Sequence, residues 1–300
     1  MHVSAWDGVL ARTACASLQA STLAVGLGHR VFRPAAPPRT RLEAALGSVL
    51  RELNDSATHV EYWTRQPWTH VELHADVDEK LAAATGQLIY PEHAHVLYLA
   101  VGTRVRGPTC VFDAVRGSDL AAWRTTAGAH LEAAAHSLTI VPAVRGRLLR
   151  FNGSLLHAVP APTDRWLTPF AKTTPTTPEA EWQRAVVLFN TWPTTPPLGV
   201  ETEPPAGDAP AVVGEALSEA FSSWREVHVG HMAGRSSGEA EGGTCDAGSG
   251  SGEVAAKVWL LGDENRRGQA SRTVQLGAPA AIGDALAQEA AATRLTLRAI

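Results

Sequence analysis

The feature that most constrains this chain is a succession of short β-prone runs at residues 59–63, 68–74, 95–101, 109–112, 138–141, 147–151, 155–159 and 185–192, each closed by glycine, proline or charged residues. A strand must bury one face against a second layer, and many short strands at close spacing satisfy that need in a sandwich or barrel. In a chain of 300 residues, 45% apolar side chains supply core enough. Between and before the strands, 41–53 places Leu42, Ala45, Leu46, Val49, Leu50 and Leu53 at helical spacing. Residues 119–136 have the Ala, Leu and Glu content of a second helix.

Other segments read as additions to this core. Residues 1–40 carry Arg12, Arg30, Arg33 and Arg39 against a single acid, Asp7, a composition that fits an N-terminal extension such as an organellar transit peptide, with an ordinary Ala-rich segment as the alternative. On that reading the protein is intracellular, cytoplasmic or organellar. The expected organisation is then an extension over 1–40, a core over 41–200 and a Pro/Gly-rich linker and disordered insertion over 201–252. A strand (254–261) and helix (280–292) within 253–300 would dock on the core. Six prolines in 193–210 and seven glycines in 233–252 mark the linker region.

Twenty-six basic against 30 acidic side chains leave a net charge of −4, without the basic excess that a phosphate backbone requires, so no nucleic-acid partner is indicated. No run approaches the ~18 uninterrupted apolar residues of a membrane-spanning helix, so no membrane partner is indicated either. Cys15, Cys110 and Cys245 are far apart and form no Cys-x-x-Cys pair. That argues against both a thiolate zinc site and a disulfide framework, leaving histidine and carboxylate as the expected metal ligands.

Those ligands occur in a suggestive pattern. In Val71-Glu72-Leu73-His74-Ala75-Asp76, a histidine and an aspartate one residue apart at a strand end project to the same side. Eighty-one residues beyond Asp76, His157 lies inside the apolar strand Leu155-Leu156-His157-Ala158-Val159, after a Gly-strand-turn-strand unit. Taken alone, each reads more blandly, as a solvated turn and a core histidine. Together, two imidazoles and one carboxylate make a facial triad suited to non-heme Fe(II).

His74-x-Asp76, His157 and the later strand Arg184-Ala-Val-Val-Leu-Phe-Asn-Thr-Trp192 resemble the 2-oxoglutarate- and Fe(II)-dependent dioxygenases, in particular the prolyl-4-hydroxylase-like branch. Val96-Leu97-Tyr98-Leu99 followed by Gly107-Pro108-Thr109 agrees with the same branch, and the resemblance spans residues 60–192. It implies a mainly β fold with flanking α, a double-stranded β-helix or jelly roll. His74, Asp76 and His157 would hold Fe(II). Arg184 and Tyr98 would bind the distal carboxylate of 2-oxoglutarate, a bidentate task suited to guanidinium. The implied activity is hydroxylation of a peptidyl proline or a small molecule with O2, coupled to decarboxylation of 2-oxoglutarate to succinate, with ascorbate as a further candidate cofactor.

This chain departs from the pattern at two points. The spacing of 27 from His157 to Arg184 is long for the family, and Ala100 stands where the family has asparagine. Arg165 and Lys172 lie in that gap as rivals for the carboxylate role, but their proline-rich surroundings suit a loop rather than a central strand. Other residues read as structural: His70 and Glu72 as solvated strand polars, His93 and His95 as surface residues flanking a turn, and Asp78 and Glu79 as an acidic turn. Cys110 reads as buried and inert, and Trp63, Trp68, Trp182 and Trp192 as packing. Two rival readings remain, a cupin-like metalloprotein using the triad without an oxo acid and a catalytically silent β-sandwich interaction module.

Overall fold

The computed structural model describes residues 3–25, 28–68, 71–102, 108–116, 136–159, 183–203, 224–232, 253–259, 273–279 and 292–299. In chain order these form β1 (Ser4–Asp7), α1 (Arg12–Val25), β2 (Arg30–Phe32), α2 (Arg41–Glu52), β3 (His59–Pro67), β4 (Val71–His74) and α3 (Glu79–Thr85). Then follow β5 (His93–Val101), β6 (Thr109–Arg116), β7 (His136–Val141), β8 (Leu148–Asn152), β9 (Leu155–Val159) and β10 (Gln183–Trp192). The last five are β11 (Arg225–Glu226), β12 (Val229–Met232), β13 (Glu253–Trp259), β14 (Thr273–Pro279) and β15 (Ala292–Ala299).

The strands form two sheets, a seven-stranded one in the order β11-β1-β8-β5-β10-β3-β2 and an eight-stranded one in the order β13-β14-β15-β7-β6-β9-β4, with β12 beside β15. Strands β3, β5, β8 and β10 fall in the seven-stranded sheet, and β4, β6, β7 and β9 in the eight-stranded one. The pairings among these eight are antiparallel. A chain that crosses between two facing sheets in this order winds a double-stranded β-helix, the jelly roll.

Strand alternation divides the core into two layers. On β10, Ala185, Val187 and Phe189 pack outward with Leu42, Leu46, Val49 and Leu50 of α2 and with Cys15 and Leu18 of α1. Val186 faces inward with Tyr98, Val96, Ala94, Phe151, Val111 and Leu155, which come from both sheets. Helix α2 begins where Thr40 accepts the Glu43 amide at 3.2 Å, and its apolar stripe is buried from Leu42 to Leu50. A truncation such as Leu46→Ala in that stripe costs roughly 2–5 kcal/mol.

The eight expected core strands are present, most of them longer than their apolar runs. The main body also takes in segments that the sequence reading placed outside it. Strand β1 pairs with β8 and β11, and β2 pairs with β3, so residues 4–32 belong to the seven-stranded sheet and its helical cover. Arg147, fully buried, donates to both carboxylate oxygens of Asp7 at 2.7 and 3.0 Å and to the Pro142 carbonyl at 3.0 Å. Strands of three or four residues whose partners lie far along the chain leave no local period to read.

Residues 193–203 are likewise pinned rather than free. The Leu198 amide donates to Asp78, Lys80 donates to the Gly199 carbonyl, and Arg30 pairs with Glu201. At the C-terminal end, β13 matches the expected strand, and β14 and β15 extend the eight-stranded sheet through β7. Residues 119–135 and 280–291, expected as helices, lie outside the described residues, as does the glycine-rich 233–252. Among the described residues, no helix is long and apolar enough to cross a membrane.

Candidate metal centre

Strand β9 owes its position to the turn before it. Asn152 accepts the Ser154 amide at 2.9 Å, and Gly153 lies so close to Pro91 that a Cβ there would overlap it. Strand β9 then runs antiparallel to β4 with His157 directly opposite His74. Side chains that face each other across a ladder point to the same face, and the two imidazole centroids lie 4.2 Å apart. Beyond β4, Asp78 caps α3 by accepting the Leu81 amide at 2.9 Å, and its own amide donates to the Ile89 carbonyl. Asp76 is thus held between a strand end and a helix cap.

The Asp76 Oδ1 lies 3.7 Å from His74 Nε2 and 3.9 Å from His157 Nε2, and the three donor atoms all fall within 4.8 Å of one another. A metal with bonds near 2.1 Å spaces adjacent donors about 3 Å apart, so closing on a divalent ion asks less than about 1 Å of each aspartate contact and at most about 2 Å between the two imidazoles. The donor set fits such an ion. His157 Nδ1 donates to the Leu155 carbonyl at 3.1 Å, which leaves the Nε2 lone pair directed at the cluster. Burial, reinforced by the neighbouring His74, pushes the His157 pKa down to about 4, so its imidazole is neutral and ready to ligate at ordinary pH. His157 is buried, whereas the His74 side chain is 40% exposed, so the cluster opens to solvent on the His74 side.

A second polar group lies deeper in the barrel. Arg184, Tyr98 and Thr109 are all buried. The Arg184 guanidinium carbon is 5.1 Å from the Tyr98 ring centroid, its Nη2 donates to Thr109 Oγ1 at 3.1 Å, and the Tyr98 hydroxyl shares a 2.7 Å hydrogen bond with the same oxygen. Burial lowers the Arg184 pKa, partly offset by Tyr98. Val111 on β6 pairs with His157, and Thr109 precedes Val111 by two residues on the same face. The arginine group therefore sits one side-chain row, about 7 Å, inward from the histidine cluster.

The sequence reading gave Thr109 no role. Its signal was its place opening β6 straight after the Gly-Pro turn, facing the strand that carries Tyr98. Arg165, Lys172, Trp182 and His70 lie outside the described residues.

Other residues stand where the structure corrects or refines expectation. His95 is not a surface residue: it is fully buried in β5, stacked on Phe189 at 4.3 Å, and its pKa is pushed down to about 3 by burial and by Arg150. His93 is half-buried beside it, in a network where Arg150 donates to Asp55 at 2.8 Å. Both belong to a central strand covered by helices, and the preceding Pro-Glu pair only starts that strand. Asp78, expected within an acidic turn, is the buried N-cap of α3. Cys110 is half-buried rather than buried, and desolvation in its strand pushes the thiol up to about 12, in keeping with an inert cysteine. Trp63 and Trp192 are buried, Trp63 stacked on His29 and Trp192 donating to Glu61 at 3.2 Å.

Fold and site together define a double-stranded β-helix protein with a two-histidine, one-aspartate cluster at the barrel mouth. No protein-family model matches the chain, and no curated protein matches it. Among solved structures, iron-bound HygX from Streptomyces hygroscopicus is similar at 19% identity over 64% of this chain and 82% of that one, with a TM-score of 0.38. HygX with nickel and 2-oxoglutarate bound is similar at 18% identity and a TM-score of 0.36, covering 64% and 82% of the two chains. A Pseudomonas putida prolyl-4-hydroxylase is similar at 13% identity over 63% of this chain and 83% of that one, with a TM-score of 0.35. At these values the likeness concerns the fold, and residue roles rest on the chain's own geometry.

Proposed function

We propose that the protein is a 2-oxoglutarate- and Fe(II)-dependent dioxygenase that hydroxylates a substrate entering at the barrel mouth. The observation that carries this reading is the meeting of His74, Asp76 and His157 from separated parts of the chain. Such a triad leaves three of six octahedral positions open, enough for a chelating co-substrate and O2. Bound there, Fe(II) and 2-oxoglutarate would supply the oxidising chemistry, with succinate and CO2 as products.

The protein's own contribution is placement and dryness. His157, neutral and oriented by Leu155, and Asp76, held by the α3 cap, present their lone pairs to one point. Arg184 offers a planar guanidinium one row inward, beside the hydrogen-bonded Tyr98–Thr109 hydroxyl pair, which keeps one proton free to donate to the same distal carboxylate. Apolar Val111, Leu155 and Phe151 exclude water around the cluster. The buried arginine favours this reading over a cupin that needs no oxo acid, and the histidine cluster favours it over a silent sandwich.

The test is anaerobic. Fe(II) is titrated into the metal-free protein, then 2-oxoglutarate, and binding is followed by calorimetry and by the visible metal-to-ligand charge-transfer absorption. One Fe(II) per chain and a 2-oxoglutarate-dependent band are expected. Fe(II) binding without any response to 2-oxoglutarate favours the cupin reading, and no Fe(II) binding favours the interaction module.

A further inference from the structure

We infer that Asn190 is a substrate-recognition residue, and that the substrate is a small polar molecule presenting a hydrogen-bond donor, an alcohol or amine, to its carboxamide. The inference rests on the oxygenase reading above. Asn190 is 2% exposed, and its Oδ1 is buried without a hydrogen-bond partner. Leaving a buried acceptor unmade costs free energy, so such an atom is retained where something else completes it.

Its location says what that partner is. Strand β10 alternates, with Phe189 outward under the helices and Leu188 packed against the inner cluster, so Asn190 shares the inner face with Leu188 and Val186. Across the sheet Asn190 pairs with Ala94, which pairs with Phe151, and the Phe151 ring lies 4.8 Å from that of His157. Asn190 therefore lies on the inner face two strands, or about 10 Å, from Phe151, whose ring borders the histidine cluster.

Arg184 lies six residues earlier on the same strand, towards the barrel interior. A co-substrate held by Arg184 would occupy that end of the strand, which leaves the Asn190 end to the substrate. Ala94, between Asn190 and Phe151, contributes only a methyl group to the row.

The neighbouring charge selects a donor. Glu61 pairs with Asn190 across β3 and is buried, with one oxygen accepting from Trp192 and the other 2.7 Å from His29. A carboxylate beside an unmatched carbonyl oxygen makes this corner electronegative, which suits a hydroxyl or ammonium and disfavours an anion. The depth of Asn190 suits a narrow group on a small molecule better than a peptide chain.

Two arms of probes test the inference on the Fe(II)-loaded full chain with 2-oxoglutarate: polyols and aminocyclitols in one, proline-containing peptides in the other, read by succinate release. The most stimulating small molecule is then titrated calorimetrically into nickel-substituted protein carrying 2-oxoglutarate, as wild type and as Asn190→Leu. Expected are stimulation in the first arm and a Kd at least about tenfold weaker in Asn190→Leu, the loss of one hydrogen bond. Fe(II) and 2-oxoglutarate affinities of the variant should match wild type. The metal-free variant should melt at or above the wild-type temperature, because no internal hydrogen bond of Oδ1 is lost.

Stimulation by peptides alone, or by no small molecule, overturns the substrate class. An unchanged Kd, or a melting temperature several degrees lower, overturns the role of Asn190. Failure of the wild type to bind 2-oxoglutarate at all is a separate result, and it is the oxygenase reading that then falls.

Discussion

His74 and His157 stand opposite each other as register partners on β4 and β9, their rings 4.2 Å apart, although 82 positions separate them in the chain. An antiparallel ladder places directly opposed side chains on one face, so one pairing settles two ligands at once. The third, Asp76, follows from the turn into α3.

Replacing any one of His74, Asp76 and His157 by alanine is expected to weaken Fe(II) binding by at least about a hundredfold, since even the groups that orient metal ligands cost 10–100-fold when lost. Circular dichroism of each metal-free variant should match wild type. Anaerobic calorimetry checks the affinity, and wild-type affinity in the His157→Ala protein would remove that residue from the site.

Arg184→Met keeps chain length and packing while removing the charge. It is expected to weaken 2-oxoglutarate by roughly 10–100-fold, the range for one charge-assisted hydrogen-bond pair, and to leave Fe(II) affinity at wild-type level. Thr109→Val should do the same to a smaller degree. Equal loss of both ligands would mean that the arginine supports the barrel rather than the co-substrate.

Asp7→Ala leaves the fully buried Arg147 guanidinium without its carboxylate partner. A loss of about 3 kcal/mol in unfolding free energy is expected, large for a residue so near the N-terminus. Denaturant titration measures it, and a change under about 0.5 kcal/mol, the range of ordinary surface substitutions, would show β1 to be dispensable.

Acid should destabilise the protein through its buried histidines. His95 and His157 have folded pKa values pushed down to about 3 and about 4, whereas in the unfolded chain each returns to about 6.5. The unfolded state therefore binds protons first, so stability is intact above about pH 6.5 and declines as pH falls towards 4 and then 3. In His95→Met the decline should be shallower. Melting curves of both proteins from pH 7 to pH 4 decide it, and identical slopes would contradict the assignment.

The eight core strands, helix α2 and the ligand candidates were legible in the sequence because each is a local matter. The apolar run Leu155–Val159, the apolar stripe of Leu42 to Leu50 and the one-residue gap between His74 and Asp76 each lie within a few positions. What the sequence did not carry was long-range pairing. The place of β1 and β2 in the seven-stranded sheet depends on partners such as Leu149 and Tyr62. The burial of His95 depends on helices that cover its strand, and the union of Thr109 with Tyr98 and Arg184 depends on two facing sheets. Local periodicity determined which residues could act, and only the tertiary winding of the jelly roll, driven by burial of both inner faces, decided which of them meet.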